Sequence, residues 1–348
     1  MKIPVGILGA TGAVGQRFLQ LLENHPWFEV AELAASERSA GKAYGEACTW
    51  RLPGAPPAAL VRLTVQPTDG PFRSRLLFSG LDSSVAGEVE SALAAKGHAV
   101  VSNSRNHRMD ADVPLLIPEV NAEHLEAVAL QQRRTGGGYI VTNPNCSVVG
   151  LALALAPLHK AFGIASVHVV TLQALSGAGY PGVSSMDVAD NVVPYIGGGE
   201  EEKIESEPRK ILGGFVNGAF IPASFGISAS VHRVAVSDGH SMAAFVRLLQ
   251  PVSVADAAQA LASFRGEPQE RSLPTAPMRP IHLLEANDRP QPRLDRDREN
   301  GMAISVGRVR ADRDGGLKLE ALVHNTIRGA AGAAILNGEL LHARGLLG

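Results

Sequence analysis

The chain has 348 residues, of which 45% are hydrophobic and 19% charged, and its formal net charge at pH 7 is −2. This length favours about two domains with cores large enough to need no disulfides. The near-neutral charge gives no electrostatic footprint for nucleic acid or for an anionic membrane surface. No segment approaches the roughly 18 unbroken apolar residues of a membrane span. We therefore expect a soluble globular protein with neither a nucleic-acid nor a membrane partner.

The chain contains two cysteines, Cys48 and Cys146. The N-terminal apolar run is short and goes straight into a glycine turn, which predicts a first strand and not a secretory signal. We therefore expect a cytoplasmic protein in which both thiols are reduced. The eleven histidines are scattered. None is spaced from a cysteine as in a zinc site, so no metal is predicted.

In the first half of the chain, short apolar runs of strand length alternate with segments of helical periodicity. Strands are predicted at Ile3–Leu8, Phe28–Ala34, Leu76–Ser79, 98–102 and Tyr139–Thr142. Strands separated by helices imply a parallel sheet with right-handed crossovers.

The pattern changes after Asn145. A helix predicted from Ser147 to about Phe162 leads into longer strand-like runs joined by tight turns. These runs are residues 167–174, 230–236, 242–249, 303–310 and 317–324. They favour a mostly antiparallel sheet, which can bury one face on helices and offer the other to a partner subunit. Residues 287–300, rich in Pro, Arg and Asp, are predicted to form an exposed excursion.

A glycine-rich loop with the spacing G-x-x-G-x-x-G lies between the first strand and the first helix. Glycines let the backbone approach a pyrophosphate, and the helix start supplies free N–H groups and a positive dipole end. A glycine triplet alone is weak evidence, but the strand–loop–helix context strengthens it. The loop residues predicted to bind a dinucleotide are Gly9, Thr11, Gly12, Ala13 and Val14.

The segment after the second strand discriminates between cofactors. An NAD enzyme usually places an acidic residue here to accept from the ribose 2′-hydroxyl. In this chain Ser36, Arg38 and Ser39 are suited to a 2′-phosphate, with Arg38 as the charge partner. Glu37 would instead suit NAD. We favour NADP.

Cys146 is predicted at the first turn of a helix, where the dipole and unpaired N–H groups lower a thiol pKa. Cys48 has no such setting and is interpreted as structural. A thiol nucleophile needs a proton-transfer partner, usually histidine. His240 follows a predicted strand and turn, within reach of a site that Arg233 also faces. His232 points to the opposite face of that strand.

Several motifs occur in one order along the chain: GATGAVG, SNSRNHRMDADVPLLIPEVN, NPNCS, LQALSGAGYPG, EEEKIESEPRKILG, HRVAVSDGHS and NTIRGAAGAA. Together they resemble the aspartate-β-semialdehyde dehydrogenase family, in the branch typical of archaea and fungi. The resemblance covers nearly the whole chain. Cys146 and Gln173 lie 27 positions apart, and Arg233 and His240 lie seven apart, as in that family.

The resemblance implies reduction of 4-phospho-L-aspartate to L-aspartate 4-semialdehyde by NADPH, with release of phosphate, in lysine, threonine and methionine biosynthesis. Cys146 would form a thioester and His240 would act as general acid/base. Gln173 and Asn145 would position the acyl group and its oxyanion. The implied substrate ligands are Arg233 for the carboxylate, Glu200 for the amino group, and Arg108 and Lys203 for the phosphate. Ser176, Gly177 and Asn325 would line the nicotinamide side of the pocket.

The fold class follows as α/β, with an N-terminal Rossmann-like NADP-binding domain and a second α+β catalytic and dimerisation domain on a mostly antiparallel sheet. The final stretch is helical in composition and is expected to pack on the first domain. We therefore assign residues 1–145 and 328–348 to the first domain and 146–327 to the second. A homodimer or homotetramer is expected.

Some alternatives stay open. Any glutamate of the run 200–202 could be the amino-group ligand, and Arg105 could replace Arg108. A malonyl-CoA reductase-like enzyme would keep Cys146 and His240 but act on a CoA thioester. N-acetyl-γ-glutamyl-phosphate reductase ranks lower, because its nucleophile motif usually carries glycine where this chain has Asn145.

Overall fold

The computed structural model describes residues 2–348. The first half builds a six-stranded sheet from short apolar strands. They are β1 (Ile3–Leu8), β2 (Phe28–Ala34), β3 (Val65–Gln66), β4 (Leu76–Ser79), β5 (Ala99–Ser102) and β6 (Tyr139–Thr142). Their spatial order is β3-β2-β1-β4-β5-β6, and every neighbouring pair is parallel. This is the order of a doubly wound dinucleotide-binding sheet. The predicted fold class is confirmed here.

Helices cover the first sheet, and every residue of β4, β5 and β6 is buried. Strands buried on both faces account for the continuous apolar runs in the sequence. The helices of this half are α1 (Ala13–Leu22), α2 (Tyr44–Ala47), α3 (Ser83–Ala95), α4 (Pro118–Asn121) and α5 (Val128–Thr135). The sequence patterns predicted only α1 and α3, which are the two longest of these five helices.

The second sheet has seven strands on one side of the long helix α6 (Cys146–Phe162). The strands are β7 (Ile164–Gln173), β8 (Val192–Pro194), β11 (Gly226–Val234), β12 (His240–Leu248), β13 (Ile281–Leu284), β14 (Ile304–Ala311) and β15 (Leu317–Val323), while β9 (Gly214–Val216) and β10 (Ala219–Ile221) form a separate hairpin. The order is β13-β14-β15-β12-β7-β11-β8. Four of its six pairings are antiparallel, and β13–β14 and β7–β11 are parallel. The sheet is therefore mixed but mostly antiparallel, as predicted.

α6 is apolar all round and almost wholly buried, because it packs between the second sheet and its neighbouring helices. The remaining helices are α7 (Ser185–Val188), α8 (Glu200–Ile211), α9 (Val254–Ser263), α10 (Glu267–Glu270), α11 (Pro292–Asp295) and α12 (Gly332–Ala343). Among residues 2–348, no helix has the length and apolarity needed to cross a membrane.

α12 packs on the first sheet, where Ile335 and Leu340 share one core cluster with Val5 and Phe78. The chain thus crosses to the second sheet through α6 and returns at its end. This path leaves a cleft that is lined by residues of both halves of the chain.

Two expectations need correction. Residues 287–300 are not simply an excursion, since Asp295 is 1% exposed and pairs with Arg289 and Arg298. The two arginines explain the burial, because a buried carboxylate needs charged or polar partners. In addition, β12 begins at His240, two residues before the predicted strand. His240 is therefore held by a strand and not by the preceding turn.

Candidate active site

The glycine loop lies where β1 passes into α1, beside the end of β4. Gly9 has φ +74°, and a Cβ there would lie 2.7 Å from the carbonyl oxygen of Gly80. Only glycine suits this backbone position. Gly12 precedes α1 and no side chain caps the helix, and the first two helical residues, Ala13 and Val14, line the cleft. Thr11, Ala13 and Val14 complete the turn. These features fit a dinucleotide pyrophosphate.

The predicted 2′-phosphate segment forms a turn directly after β2. The Ser39 N–H donates to the Ser36 carbonyl (2.8 Å), and Ala34 at the end of β2 accepts from the Ala10 N–H of the glycine loop (3.0 Å). Ser36 and Arg38 are exposed, and Ser39 is buried. The turn does not line the part of the cleft that holds the thiol, and its role in binding a 2′-phosphate stays a prediction.

Cys146 is the first residue of α6. Asn145 caps that helix, since its Oδ1 accepts from the N–H groups of Ser147 (2.9 Å) and Val148 (3.4 Å). An asparagine at this position stabilises a helix start by about 1 kcal/mol. The same cap fixes the backbone immediately before the thiol.

His240 lies beside that thiol, with Nε2 3.2 Å from the Cys146 Sγ. Its other nitrogen, Nδ1, accepts a hydrogen bond from the Ala174 N–H (3.0 Å). An Nδ1 that accepts places the proton of the neutral ring on Nε2, facing the sulfur. The carbonyl of Ala174 accepts from Arg233 (2.6 Å), so one residue after β7 orients both side chains.

Gly177 packs directly against the side chains of Arg233 and His240. A Cβ at Gly177 would lie 2.9 Å from both Arg233 NH1 and His240 Cε1. Ser176 accepts from the Asn325 amide (2.8 Å), and Asn325 in turn accepts from the Gly239 N–H (2.8 Å). The predicted nicotinamide-side residues thus hold the turn that leads into His240.

Glu200, at the start of α8, gathers three predicted site residues around its carboxylate. Asn145 Nδ2 donates to both oxygens at 3.0 Å, Gln173 Nε2 donates at 3.3 Å, and Lys203 forms an ion pair one helical turn away. Burial raises the pKa of Glu200, but Lys203 and these hydrogen bonds hold it below its ordinary value. The carboxylate is therefore ionised. Of the run 200–202, only Glu200 contacts these groups.

Arg108 reaches the cleft from the loop after β5. Its guanidinium donates to Glu207 Oε1 (2.9 Å) and to the Asn103 carbonyl (2.9 Å). Arg105 is exposed and donates to the Gly198 carbonyl (3.1 Å). Both arginines line the cleft, but only Arg108 is buried and held by a carboxylate.

Glu207 was not predicted as a site residue. A signal for it was available, because positions 200, 203 and 207 lie on one face of a helix. Arg51 and Tyr180, which stack across the mouth of the cleft at 3.9 Å, were also missed. They come from loops whose meeting no local pattern reveals.

The cleft has a volume of about 630 Å³ and is lined by the start of α1, Asn145, Cys146, Lys203 and Asn325, among others. Within residues 2–348, no group of three or more histidines, cysteines or carboxylates could hold a metal ion. Cys48 lies outside this cleft and packs against the first core.

The electrostatics of the thiol correct one sequence expectation. Burial and the Glu200 carboxylate raise the pKa of Cys146 to about 12, against the lowering effects of Arg108, Lys203 and Arg233. Burial, Arg233 and His324 lower the pKa of His240 to about 3. The free site therefore holds a neutral thiol beside a neutral imidazole. The helix start alone does not set the charge of the thiol.

Alkylation should reveal this state. In a Cys48→Ala background, the rate constant of Cys146 with iodoacetamide should rise about tenfold per pH unit up to about pH 11, because only the thiolate reacts. Reactivity of a thiol with a raised pKa is present above that pKa and lost as the pH falls. Glu200→Gln should increase the rate at fixed pH, because a negative charge near the sulfur is removed. A plateau near neutral pH would contradict the raised pKa.

Comparison with known proteins agrees with this architecture. The family described as "Semialdehyde dehydrogenase, NAD binding domain" matches residues 4–128, and "Semialdehyde dehydrogenase, dimerisation domain" matches residues 155–328. The chain is 50% identical over 345 residues to an aspartate-semialdehyde dehydrogenase of Methanothermobacter thermautotrophicus, covering 98% of this chain and 99% of that protein. It is 46% identical over 354 residues to one of Schizosaccharomyces pombe, covering 99% of each.

A similar solved structure is that of aspartate semialdehyde dehydrogenase with NADP from Candida albicans. It has a TM-score of 0.91 and 42% identity, covering 99% of this chain and all of that one.

A doubly wound dinucleotide-type sheet that shares its cleft with a cysteine–histidine pair defines a thiol-dependent dehydrogenase. Within that class, the chain belongs to the aspartate-semialdehyde dehydrogenase family. The resemblance seen in the sequence motifs is thereby confirmed.

Proposed function

We propose that the protein reduces 4-phospho-L-aspartate to L-aspartate 4-semialdehyde with NADPH, through a thioester on Cys146. The observation that carries this proposal is the 3.2 Å contact between Cys146 and His240 in the cleft that also receives the glycine loop. The relatives in Methanothermobacter and Schizosaccharomyces carry the name of this activity, and the Candida structure contains NADP.

The substrate is proposed to lie between two charged groups. Arg233 would bind its carboxylate and Glu200 its amino group, since each has the opposite charge and faces the thiol region. An ammonium bound at Glu200 would offset the negative charge that raises the pKa of Cys146. Substrate binding would thus make the thiolate easier to form.

In the first covalent step the sulfur attacks the acyl carbon, and the thiol proton passes to the departing phosphate, directly or through water. The S–C bond forms, the C–O bond to phosphate breaks, and the electron pair leaves with the phosphate. Asn145 and Gln173 are proposed to donate to the acyl oxygen as it becomes negative. Arg108 and Lys203 would bind the phosphoryl group.

NADPH, when bound by the glycine loop and the Ser36–Arg38–Ser39 turn, supplies a hydride to the thioester. The resulting thiohemiacetal oxyanion re-forms its C=O bond to give the aldehyde, the S–C bond breaks, and the electron pair returns to the sulfur. His240 Nε2–H faces this sulfur and donates to the developing thiolate. Of the acid/base role expected of His240, the acid half would need the protonated ring, which forms only near pH 3, so the neutral ring supplies a hydrogen bond and not a proton. The base half would need the proton on Nδ1, against the Ala174 N–H.

The activity is tested in the reverse direction with aspartate semialdehyde, inorganic phosphate and NADP⁺, by following absorbance of the reduced nicotinamide. Phosphate-dependent turnover is expected. Replacing NADP⁺ by NAD⁺ measures the cofactor preference. Turnover with malonyl-CoA and NADPH, but none with the first set, would overturn the assignment.

We also propose that residues 1–145 with 328–348 form the cofactor domain and 146–327 the catalytic domain. This division is supported by the two sheets and by the return of α12 to the first. The reduced state expected of both thiols fits a cytoplasmic location, which we retain as part of the proposal.

A homodimer, or a homotetramer built from such dimers, is proposed to form through the outward face of the second sheet. Val170, Leu172 and Phe245 are exposed on β7 and β12, within the dimerisation-domain match. An exposed apolar sheet face of this kind is typical of a subunit interface.

The interface proposal predicts that Phe245→Glu shifts the sedimenting species to the monomer mass, because a charged side chain would replace an apolar ring within the interface. Val85→Glu changes an exposed apolar residue on α3, outside the second sheet, and should leave the mass unchanged. An unaltered assembly in Phe245→Glu would contradict this interface.

A further inference from the structure

α8 carries two charged residues on its cleft side that have no role in the reaction proposed above. Glu207 and Lys210 follow Glu200 and Lys203 at helical spacing, so all four lie on one face. Glu207 is 1% exposed and Lys210 4% exposed. Buried charges are costly unless each is paired or fully hydrogen-bonded, so their partners indicate what they do.

The two carboxylate oxygens of Glu207 accept hydrogen bonds from two different segments of the site. Oε1 accepts from Arg108 NH1 (2.9 Å), and Oε2 accepts from the backbone N–H of Asn145 (2.7 Å). Asn145 immediately precedes the nucleophile and caps its helix. One carboxylate therefore sets the position of both the cysteine-bearing helix start and the buried arginine.

Lys210 holds the loop on which that arginine lies. Its Nζ donates to the carbonyl oxygens of Arg108 (2.8 Å), Asp110 (2.9 Å) and Val113 (2.9 Å). All three ammonium protons are used, and all three acceptors belong to a single stretch of six residues. The ammonium thus gathers this loop against α8.

The arginine is oriented before any ligand binds. Glu207 and the Asn103 carbonyl take one N–H each from NH1 and NH2, which leaves three of the five guanidinium N–H groups unused. One of these is on Nε, which is buried and has no partner among residues 2–348. Arg108 is therefore fixed in plane and still able to bind an anion.

We propose that Glu207 and Lys210 are positioning residues of the reaction. Both lie on α8, where they bind the Arg108 loop and the Asn145 N–H, and they thereby fix the distance between the phosphoryl site at Arg108 and the nucleophile Cys146. The proposal rests on the proposed function, in which Arg108 binds the phosphoryl group. Positioning of this kind raises the rate because reacting groups need no rearrangement when the substrate arrives.

The two contacts predict different kinetic effects. Glu207→Gln removes the negative charge and leaves one acceptor oxygen for the two donors on Arg108 and Asn145, so KM for phosphate should rise and kcat should fall, each by about tenfold or more. Lys210→Met frees only the loop, so it should raise KM for phosphate with a smaller loss of kcat. KM for aspartate semialdehyde should stay close to the wild-type value in both variants.

The experiment measures these constants with aspartate semialdehyde, inorganic phosphate and NADP⁺, together with NADPH binding and thermal melting. Glu205→Gln is the matched control, because Glu205 lies on the same helix and accepts from the Ala229 N–H (3.0 Å) away from the cleft. It should alter melting without changing KM for phosphate. Retained NADPH binding identifies variants that are folded, and Glu207→Asp, which keeps the charge, should recover part of kcat.

Failure of this proposal is distinguishable from failure of the proposed function. If the wild-type protein does not turn over this substrate set, the function is wrong. If it does, and folded Glu207→Gln and Lys210→Met keep the wild-type KM for phosphate and kcat, the positioning role is refuted. Wild-type KM for phosphate in these variants combined with a raised value in Arg105→Gln would assign the anion to Arg105 and also refute it.

Discussion

Replacement of Cys146 by alanine is expected to lower kcat by at least about four orders of magnitude, because no other nucleophile can form the thioester. Cys146 is the cysteine that lies next to His240, and its sulfur is the atom that the proposed substrate must reach. The measurement is NADP⁺ reduction with saturating aspartate semialdehyde and phosphate.

The same variant should bind NADPH with unchanged affinity, as measured by nicotinamide fluorescence. The glycine loop and the turn after β2 do not depend on the thiol. Cys48→Ala is the matched control and should retain activity, since Cys48 is a half-buried residue outside the cleft. Substantial turnover by Cys146→Ala would rule out the thioester mechanism.

His240→Ala is expected to lower kcat by about 10² to 10³, the usual effect of losing one preorganised hydrogen-bond donor to a developing negative charge. The variant removes the Nε2–H that faces the sulfur, so the thiolate formed in each covalent step loses its hydrogen bond. It also leaves the Ala174 N–H without its acceptor. The readout is the single-turnover rate with excess enzyme, which separates chemistry from product release.

The control for this change is His232→Ala. His232 lies on β11 next to Arg233, with its side chain on the other face of the strand. Its replacement by alanine should therefore leave the single-turnover rate unchanged. The low pKa of His240 adds a further expectation. Because the ring protonates only near pH 3, the rate should show no loss from His240 between pH 5 and 8. An acid limb near pH 6.5 that disappears in His240→Ala would contradict this.

Much of the first sheet was predictable, because its strands are buried on both faces and read as continuous apolar runs. β1, β2, β4 and β6 have the predicted bounds. The short strands β3, β8, β9, β10 and β13 were missed, since they have only two to four residues and are mostly not buried, so they form no continuous apolar run. The start of β12 was also misplaced, because His240 and Ser241 are polar residues whose strand conformation comes from pairing with β15 and β7.

By itself, the sequence determined the glycine loop, the cysteine at a helix start and the family to which the chain belongs. These depend on local order along the chain, and helix caps and glycine turns are decided by neighbouring residues. Only the tertiary structure decided the charge of the thiol. Desolvation and the carboxylate of Glu200, 54 positions away in sequence, outweigh the helix start and raise the pKa of Cys146.

The orientation of Arg108 by Glu207 and Lys210 was likewise a tertiary result. Helical spacing places the two charges on one face, but it does not identify what that face meets. Electrostatic effects act through space and strengthen as water is excluded, so they depend on which distant segments the fold brings together.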